Sequence, residues 1–136
     1  MNRADLQQLS NARIREAKIL LAAGEYSGAY YLAGYAVECA LKSCYAKSIK
    51  RYDFPDKAVT KVFIHSLKDL TKVANVDSEL DLAIKADSQL ETNWVLVRVW
   101  SEQSRYAIWT REDAAALVQA IISRKGGVLP WIRQRW

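Results

Sequence analysis

The segment EYSGAYYLAGYAVECALKSCYAK, which spans Glu25–Lys47, gives the strongest indication of the fold. Small residues recur there at spacings of three and four, which at about 100° per residue places them on one face of a helix. Because a face of small side chains lets neighbouring helices approach closely, we predict that this segment is the central helix of a bundle. The face comprises Ala29, Ala33, Ala36, Val37, Ala40, Leu41 and Cys44.

The opposite side of the same predicted helix is rich in tyrosine and also carries charged groups. Base stacking is one use of such a surface. Helix packing and a dimer interface are favoured over it, because aromatic side chains are enriched in both. Five of the seven tyrosines of the chain lie in this segment: Tyr26, Tyr30, Tyr31, Tyr35 and Tyr45.

Composition favours an all-α fold in a single domain that covers residues 1–136. A chain of this length suits one domain with its own core. The sequence holds only 5 Gly and 2 Pro, which is little material for the many turns of an all-β fold. No internal repeat or long linker divides the chain, so the sequence predicts one helical bundle.

Local signals predict where the helices begin and end. Gly24 is a natural stop for a first helix. Two pairs of residues have the spacing of a capping box, Ser66 with Asp69 and Thr110 with Asp113. The predicted helices run from Asn2 or Arg3 to Ala23, from Tyr26 to Ile49, from Phe63 after a break at 53–56, from Glu79 to Glu91 with Ser78 as cap, and from Thr110 to Gly126–Gly127.

The segment Trp94–Trp100 is ambiguous in the sequence. Its alternating β-branched residues would suit a strand. A lone strand cannot satisfy its backbone, however, and no other segment offers a convincing partner. We therefore interpret it as a short helix or an irregular segment.

The two cysteines indicate reduced thiols rather than a disulfide. Cys39 and Cys44 are five residues apart, an offset of about 140° around a helix, so they cannot easily bond to each other. One histidine and two such cysteines do not make a usual zinc site, and we predict neither a metal nor a cofactor. No apolar run is long enough to span a bilayer, so we expect a cytoplasmic protein.

The formal net charge of +5 is unevenly spread. Residues 40–75 contain eight basic and three acidic side chains, whereas residues 76–91 are acidic. Nucleic-acid contact, self-association and an ordinary solvated surface all fit this pattern. The tail, residues 126–136, is basic and aromatic, which suits RNA, an acidic partner or an anionic membrane surface, or docking onto its own bundle.

Several motifs resemble the HEPN family of small helical proteins. They occur in the family's order and cover roughly residues 3–125. The element around Glu38 is the most specific of them. The motifs are Gly24-x-Tyr26-x-x-Ala29-x-x-Leu32-Ala33, Ala36-Val37-Glu38-x-Ala40-Leu41-Lys42, His65-Ser66-Leu67-x-x-Leu70, and Arg105-Tyr106 before a helix that opens near Thr110.

The resemblance implies an up-and-down bundle of roughly four to five helices, commonly a homodimer. It also implies two broad roles. Some family members are ribonucleases, often toxins of toxin–antitoxin or phage-defence systems. Others lack the nuclease motif and act as binding modules, often beside a small nucleotidyltransferase, and a related domain helps such enzymes hold a nucleotide.

This chain departs from the pattern of the ribonuclease members. That pattern is an Arg followed, after roughly four to six residues, by a His that moves a proton while the Arg stabilises the phosphate. The only histidine here is His65, and the nearest preceding arginine is Arg51, fourteen residues earlier. Where a nuclease would place its His, this chain has Trp109 or Thr110, and neither titrates near neutral pH.

Two pairs of residues are the main candidates for a binding site. Arg105 and Tyr106 together could hold a phosphate and stack on a base, or could instead cap a helix end and pack beneath it. Glu38 and Lys42 are four apart in the order that favours a helix ion pair, which is a sufficient structural role for both. A functional role would place Glu38 in a polar pocket with Arg13 or Arg105.

Arg13 and His65 complete the candidate set. Arg13 falls within the apolar stripe of the first helix, where its head either extends to solvent, the favoured interpretation, or meets a carboxylate such as Glu38. His65 is expected to start a helix and pack against the second helix. A catalytic His65 would need a charged partner that the sequence does not identify.

The sequence thus favours a HEPN-like binding module that lacks the usual ribonuclease motif. Its ligand would be a partner nucleotidyltransferase, RNA or a nucleotide, with Arg105, Tyr106, Glu38, Lys42 and Arg13 as binding candidates. The alternative is a metal-independent ribonuclease with a diverged active site built from Arg105, Tyr106 and His65. A purely structural homodimer is the third hypothesis.

Overall fold

The computed structural model describes residues 1–52 and 65–136, and every regular element within these ranges is helical. The predicted all-α bundle is therefore confirmed. The elements are α1 Arg3–Ala22, α2 Tyr26–Tyr52, α3 Leu67–Val73, α4 Asp77–Ala86, α5 Ser88–Arg98, a 3-10 turn Glu102–Tyr106, α6 Arg111–Ile122 and α7 Val128–Arg133.

Helix α2 is the central element, as its small residues predict. It packs along α1 and also contacts α3, α6, α7 and the 3-10 turn. Its alanine face is fully buried, which allows this close packing. One buried hydrogen bond ties α1 to it directly, since the Ser10 hydroxyl donates to the Ala36 carbonyl oxygen at 2.7 Å.

Three predicted helix boundaries are confirmed. Gly24 adopts φ +84°, a conformation that favours glycine, directly after α1. The Thr110 hydroxyl accepts from the Asp113 amide, and the Asp113 carboxylate accepts from the Thr110 amide, which completes the capping box of α6. The Ser66 hydroxyl accepts from the Asp69 amide at 3.4 Å, which confirms Ser66 as a cap. Helix α3 begins only at Leu67, so His65, which the prediction placed at the start of this helix, precedes it.

Other boundaries differ from the predictions. The helix predicted over Glu79–Glu91 is two helices, because the Asp87 carboxylate accepts from the amides of Gln89 and Leu90 and starts α5 there. Ser78 is not the cap of α4, which follows Val76 without a side-chain cap. Helix α6 ends at Ile122, short of the two glycines. The predicted break at 53–56 and residues Phe63 and Ile64 lie outside the described residues.

The ambiguous segment Trp94–Trp100 is helical as far as Arg98 and then leaves the helix. Trp94 and Trp100 are both buried. The alternating residues between them fall partly on an exposed face, with Val95 and Val99 open to solvent. The segment is therefore mostly the short helix of our interpretation, and not the strand that its alternating β-branched residues resembled.

The basic, aromatic tail docks onto its own bundle. Val128, Leu129 and Ile132 of α7 are buried in the core. The Arg135 guanidinium donates to Glu79 at 2.8 Å and lies 3.7 Å above the Trp131 ring. The Arg133 guanidinium donates to Asn11 at 2.8 Å, and Arg3 donates to the Trp136 carbonyl oxygen. These contacts favour the docking interpretation over a free binding tail.

A close approach between α2 and the segment after α5 fixes the position of the 3-10 turn. The Trp100 indole, 1% exposed, lies against the α2 backbone at Gly34, where an added Cβ atom would collide with the ring. The Trp100 Nε1 atom has no hydrogen-bond partner among the described residues. Packing alone therefore holds this indole. In the described part of the chain, no helix is long and apolar enough to cross a membrane.

We expect Gly34→Ala to destabilise the protein, although alanine is the better helix former by about 1 kcal/mol. The new Cβ must displace a buried indole, and overpacking of this kind costs about 1–3 kcal/mol. Urea denaturation followed by circular dichroism measures the change in the free energy of unfolding.

Gly28→Ala is the matched control on the same helix. A Cβ there would lie 3.2 Å from Leu20 Cδ1, the end of a flexible side chain that can move. We expect this variant to be as stable as the parent or slightly more stable. Equal stability of the two alanine variants would contradict the proposed role of the Gly34 contact.

Candidate functional site

Two tryptophans hold the 3-10 turn against α2. Trp100 precedes the turn and packs on Gly34, as described above. Trp109 follows it and stacks on Tyr30 with ring centroids 3.7 Å apart and an interplanar angle of 11°. The Trp109 amide donates to the Ser27 hydroxyl at 2.9 Å, and its indole N–H donates to the Ser104 carbonyl oxygen at 3.0 Å. The turn is therefore anchored at both ends.

Glu38 forms the buried centre of a charged cluster between α2 and the residue that precedes α3. Its carboxylate is 2% exposed. One oxygen lies 3.0 Å from His65 Nδ1 and the other lies 3.3 Å from Lys42 Nζ. Because an ionised carboxylate only accepts hydrogen bonds, Nδ1 carries a proton in this arrangement. These two hydrogen-bond donors thus offset the free-energy cost of burying the carboxylate.

The second ring nitrogen of His65 faces another carboxylate. His65 Nε2 lies 3.4 Å from Glu102 Oε2, and both side chains are about one-third exposed, at 35% each. His65 therefore bridges a buried acid on α2 and a partly exposed acid on the 3-10 turn. Glu38 and Glu102 are the charged partners that the sequence did not identify for His65.

Arg105 and Tyr106 lie on the outer side of the 3-10 turn. Both are exposed, and the Arg105 guanidinium carbon sits 4.9 Å from the centroid of the Tyr106 ring. The pKa of Arg105 is raised, chiefly by its interaction with Tyr106 and further by Tyr31 of α2. Tyr31 in turn packs against Trp100 at 5.9 Å. The guanidinium therefore lies beside an aromatic surface.

Arg13 does not join this cluster. Its guanidinium pairs with Glu16, one turn along its own helix, and not with Glu38. Of the two interpretations of Arg13, a carboxylate partner fits better than a guanidinium that extends freely to solvent. The partner is Glu16 on the same helix. Burial raises the pKa values of Tyr35 and Cys39, and the positive charge of Arg13 partly counteracts that rise.

The two thiols are poor candidates for a nucleophile. Burial raises the pKa of Cys39 to about 12, with a further contribution from the Glu38 charge, and burial raises the pKa of Cys44 to about 11. Both cysteines are free and buried. A thiol that stays protonated at neutral pH is a weak nucleophile and a weak metal ligand.

The charged cluster does not have the form of a metal site. Glu38 and Glu102 lie at opposite nitrogens of one imidazole ring, so the three groups do not converge on a common point. Within residues 1–52 and 65–136, no group of three or more His, Cys, Asp or Glu side chains is arranged to hold a metal ion.

The structure thus gathers the sequence candidates into two neighbouring sets. Glu38, Lys42 and His65 form the buried cluster, while Arg105 and Tyr106 form the exposed pair. Glu102, which the sequence did not single out, lies on the turn that carries Arg105 and contacts His65. Glu102 precedes Arg105 by three residues in the same 3-10 turn. No local pattern marked Glu102, because its contact with His65 joins two segments that are far apart in the chain.

Fold and site together define a small helical-bundle protein with a histidine–carboxylate cluster beneath an arginine-bearing turn. Comparison with models of protein families matches the HEPN domain over residues 5–123. The chain therefore belongs to the HEPN domain family, and the resemblance noted in its motifs is confirmed. No curated protein and no solved structure matches the chain.

The buried contact between Glu38 and His65 should matter more for stability than the exposed contact between His65 and Glu102. We expect His65→Ala to cost about 1–3 kcal/mol, because it leaves a buried carboxylate with one donor fewer. Glu102→Ala should cost about 0–1 kcal/mol, as for other exposed ion pairs. Urea denaturation of both variants measures these costs.

His65→Asn separates the hydrogen bond from the loss of packing. An asparagine can present an N–H group near the position of Nδ1, so this variant should recover most of the stability lost in His65→Ala. If Asn and Ala prove equally destabilising, the hydrogen bond to Glu38 is not the source of the effect.

Proposed function

We propose that this HEPN protein is a non-catalytic module that binds single-stranded RNA at Arg105 and Tyr106. The observation that carries the proposal is an exposed guanidinium, set beside an aromatic ring, on a turn that is anchored at both ends. An arginine contacts a phosphate and an aromatic ring stacks on a base, and this combination binds single strands with little sequence preference.

The contacts of the two His65 ring nitrogens favour RNA binding over RNA cleavage. General acid–base catalysis needs a ring nitrogen that can reach the substrate and exchange a proton with it. Both nitrogens of His65 face carboxylates instead, Glu38 at 3.0 Å and Glu102 at 3.4 Å. The sequence has no second histidine.

The experiment measures fluorescence anisotropy of a labelled single-stranded RNA over a range of salt concentrations. We expect saturable binding, and we expect Arg105→Ala and Tyr106→Ala each to weaken it by about tenfold. The log–log salt slope should fall by about 0.7 in Arg105→Ala, since one phosphate contact is lost.

Arg15→Ala is the matched control, because Arg15 is exposed on α1 and carries the same charge. It should bind RNA as the parent protein does. Equal losses in the Arg15 and Arg105 variants would indicate a general charge effect. Such a result would count against a site at the 3-10 turn.

A specific observation also supports a second function, a metal-independent ribonuclease with a diverged site. A buried acid that holds Nδ1 of a histidine leaves Nε2 as the reactive nitrogen, which is the arrangement of many catalytic dyads. Arg105 lies three residues after Glu102, one turn along the same 3-10 helix.

Incubation of the same RNA in the presence of a chelator separates the two functions. If the protein is a binding module, the RNA stays intact. The ribonuclease predicts cleavage that disappears in His65→Ala and in Arg105→Ala, and that increases in Glu102→Ala because Nε2 becomes accessible. Cleavage with this pattern would replace our first proposal.

We also propose that the protein forms a homodimer through the exposed face of α5. Of the eight large hydrophobic residues that are exposed in the described chain, five lie within residues 95–108. The face comprises Glu91, Val95, Arg98 and Val99, which are spaced to lie on one side of the helix. Across a two-fold axis, Glu91 of one copy can meet Arg98 of the other, so the face is self-complementary.

Light scattering after size exclusion tests the dimer. Val99→Asp should yield a monomer, whereas Leu82→Asp, at an equally exposed position on α4, should not change the mass. Arg98→Glu should weaken the dimer, and the added Glu91→Arg should restore it. A parent protein that is monomeric at micromolar concentration would instead favour a different partner on this face, such as a nucleotidyltransferase.

A further inference from the structure

The imidazole ring of His65 lies between two carboxylates, and its charged form alone suits both of them. Nδ1 lies 3.0 Å from Glu38 Oε1, and Nε2 lies 3.4 Å from Glu102 Oε2. A neutral imidazole carries one N–H donor, and its other nitrogen presents a lone pair. Since an ionised carboxylate also presents lone pairs, the neutral ring keeps one of the two contacts, whereas the imidazolium keeps both.

The burial of the two acids decides which contact the neutral ring keeps. Glu38 is 2% exposed, whereas Glu102 is 35% exposed and can turn to water. Leaving a buried carboxylate without its donor costs more free energy than leaving an exposed one. The neutral ring therefore keeps its proton on Nδ1, and the lone pair of Nε2 then faces Glu102. The ring itself is 35% exposed, so water can accept the Nε2 proton.

The other charged groups near His65 do not replace this pair of acids. Lys42 contacts the second oxygen of Glu38 at 3.3 Å. Burial and the charge of Glu38 raise the pKa of Cys39 to about 12, so that thiol stays protonated where a histidine titrates. The charged side chains of α3 are all exposed, and none forms an ion pair with the ring among the described residues: Lys68, Asp69 and Lys72.

We propose that His65 and Glu102 form a proton-dependent latch that regulates the RNA surface at Arg105 and Tyr106. With an imidazolium at position 65, the Glu102 carboxylate is held at Nε2. When the Nε2–H bond breaks and its proton passes to water, the ring becomes neutral and Glu102 is released as a free anion. The change falls between about pH 5 and 8, the range in which histidine side chains change charge. This inference rests on the proposed RNA-binding function, although the latch itself can be measured without RNA.

Release of Glu102 opposes the binding of a phosphate at Arg105. The two residues are three apart in one 3-10 turn, which rises about 2 Å per residue. The released carboxylate thus acts on that phosphate within one Debye length, about 8–10 Å at physiological salt, so the repulsion is not fully screened. The contacts of Trp100 and Trp109 do not involve His65, so the turn stays anchored in either state. The latch therefore changes the local charge rather than the position of the turn.

Nuclear magnetic resonance of the only histidine in the chain tests the latch without RNA. In proton–nitrogen correlation spectra, we expect both ring nitrogens to be protonated at about pH 5 and Nε2 alone to lose its proton toward about pH 8. The side-chain carboxyl carbon of Glu102, identified by its absence in Glu102→Gln, should change its chemical shift over the same range. In His65→Asn, which keeps an N–H group for Glu38, that change should disappear.

Two results would overturn the latch. One is loss of the Nδ1 proton while Nε2 stays protonated, since the ring would then release Glu38 and keep Glu102. The other is a Glu102 signal that does not follow the ring, or that changes equally in His65→Asn, since the acid would then titrate independently of His65.

RNA affinity at the two ends of this pH range tests the regulation. With a single-stranded RNA that lacks terminal phosphates, fluorescence anisotropy should show the parent binding about threefold more weakly at the higher pH. His65→Asn should bind equally at both. Glu102→Gln should bind at the higher pH about as tightly as the parent does at the lower, because a neutral amide replaces the released anion. Glu112→Gln, at an exposed acid of α6, is the control and should keep the pH dependence of the parent.

The outcomes separate the latch from the proposed function. Absence of RNA binding by the parent at both pH values would contradict the proposed function, while the resonance experiment would still decide whether the latch exists. Equal affinity of the parent at both pH values, or a pH dependence that persists in His65→Asn, would overturn the regulation and leave the RNA site at Arg105 in place.

Discussion

The contact between the Trp100 indole and the backbone of α2 at Gly34 is the constraint on which the site depends. A side chain at position 34 would push the ring outward, because the added carbon would occupy the space of the indole. The ring sets where the chain leaves α5 and hence where the 3-10 turn lies. Glu102 can reach His65, and Arg105 can point outward, only because the turn is held at this distance from α2.

Much of the fold was predictable because it follows from local patterns. The alanine face of α2 repeats with the period of a helix, and capping residues such as Thr110 mark helix starts within a few residues. The break between α4 and α5 at Asp87 was not predicted, because an aspartate within a helical pattern can either continue that helix or cap a new one. The sequence did not reveal the partners of Trp100 and His65, since those contacts join segments far apart in the chain.

The formal net charge does not show which cations are already paired within the folded chain. The formal net charge of +5 suggested a basic surface or a basic tail. In the folded chain, however, Arg133 and Arg135 hold the tail against the bundle, and Arg13 is paired on its own helix. Lys42 is used to support a buried carboxylate. Among the exposed cations, Arg105 lies beside the ring of Tyr106, and the RNA-binding proposal rests on that pair.

The two indoles that flank the 3-10 turn give this region a built-in optical reporter. Trp100 is shielded from solvent and Trp109 is stacked on a tyrosine, so their emission is sensitive to small shifts of the backbone between them. A molecule that docks at the turn would alter intrinsic fluorescence without any added dye.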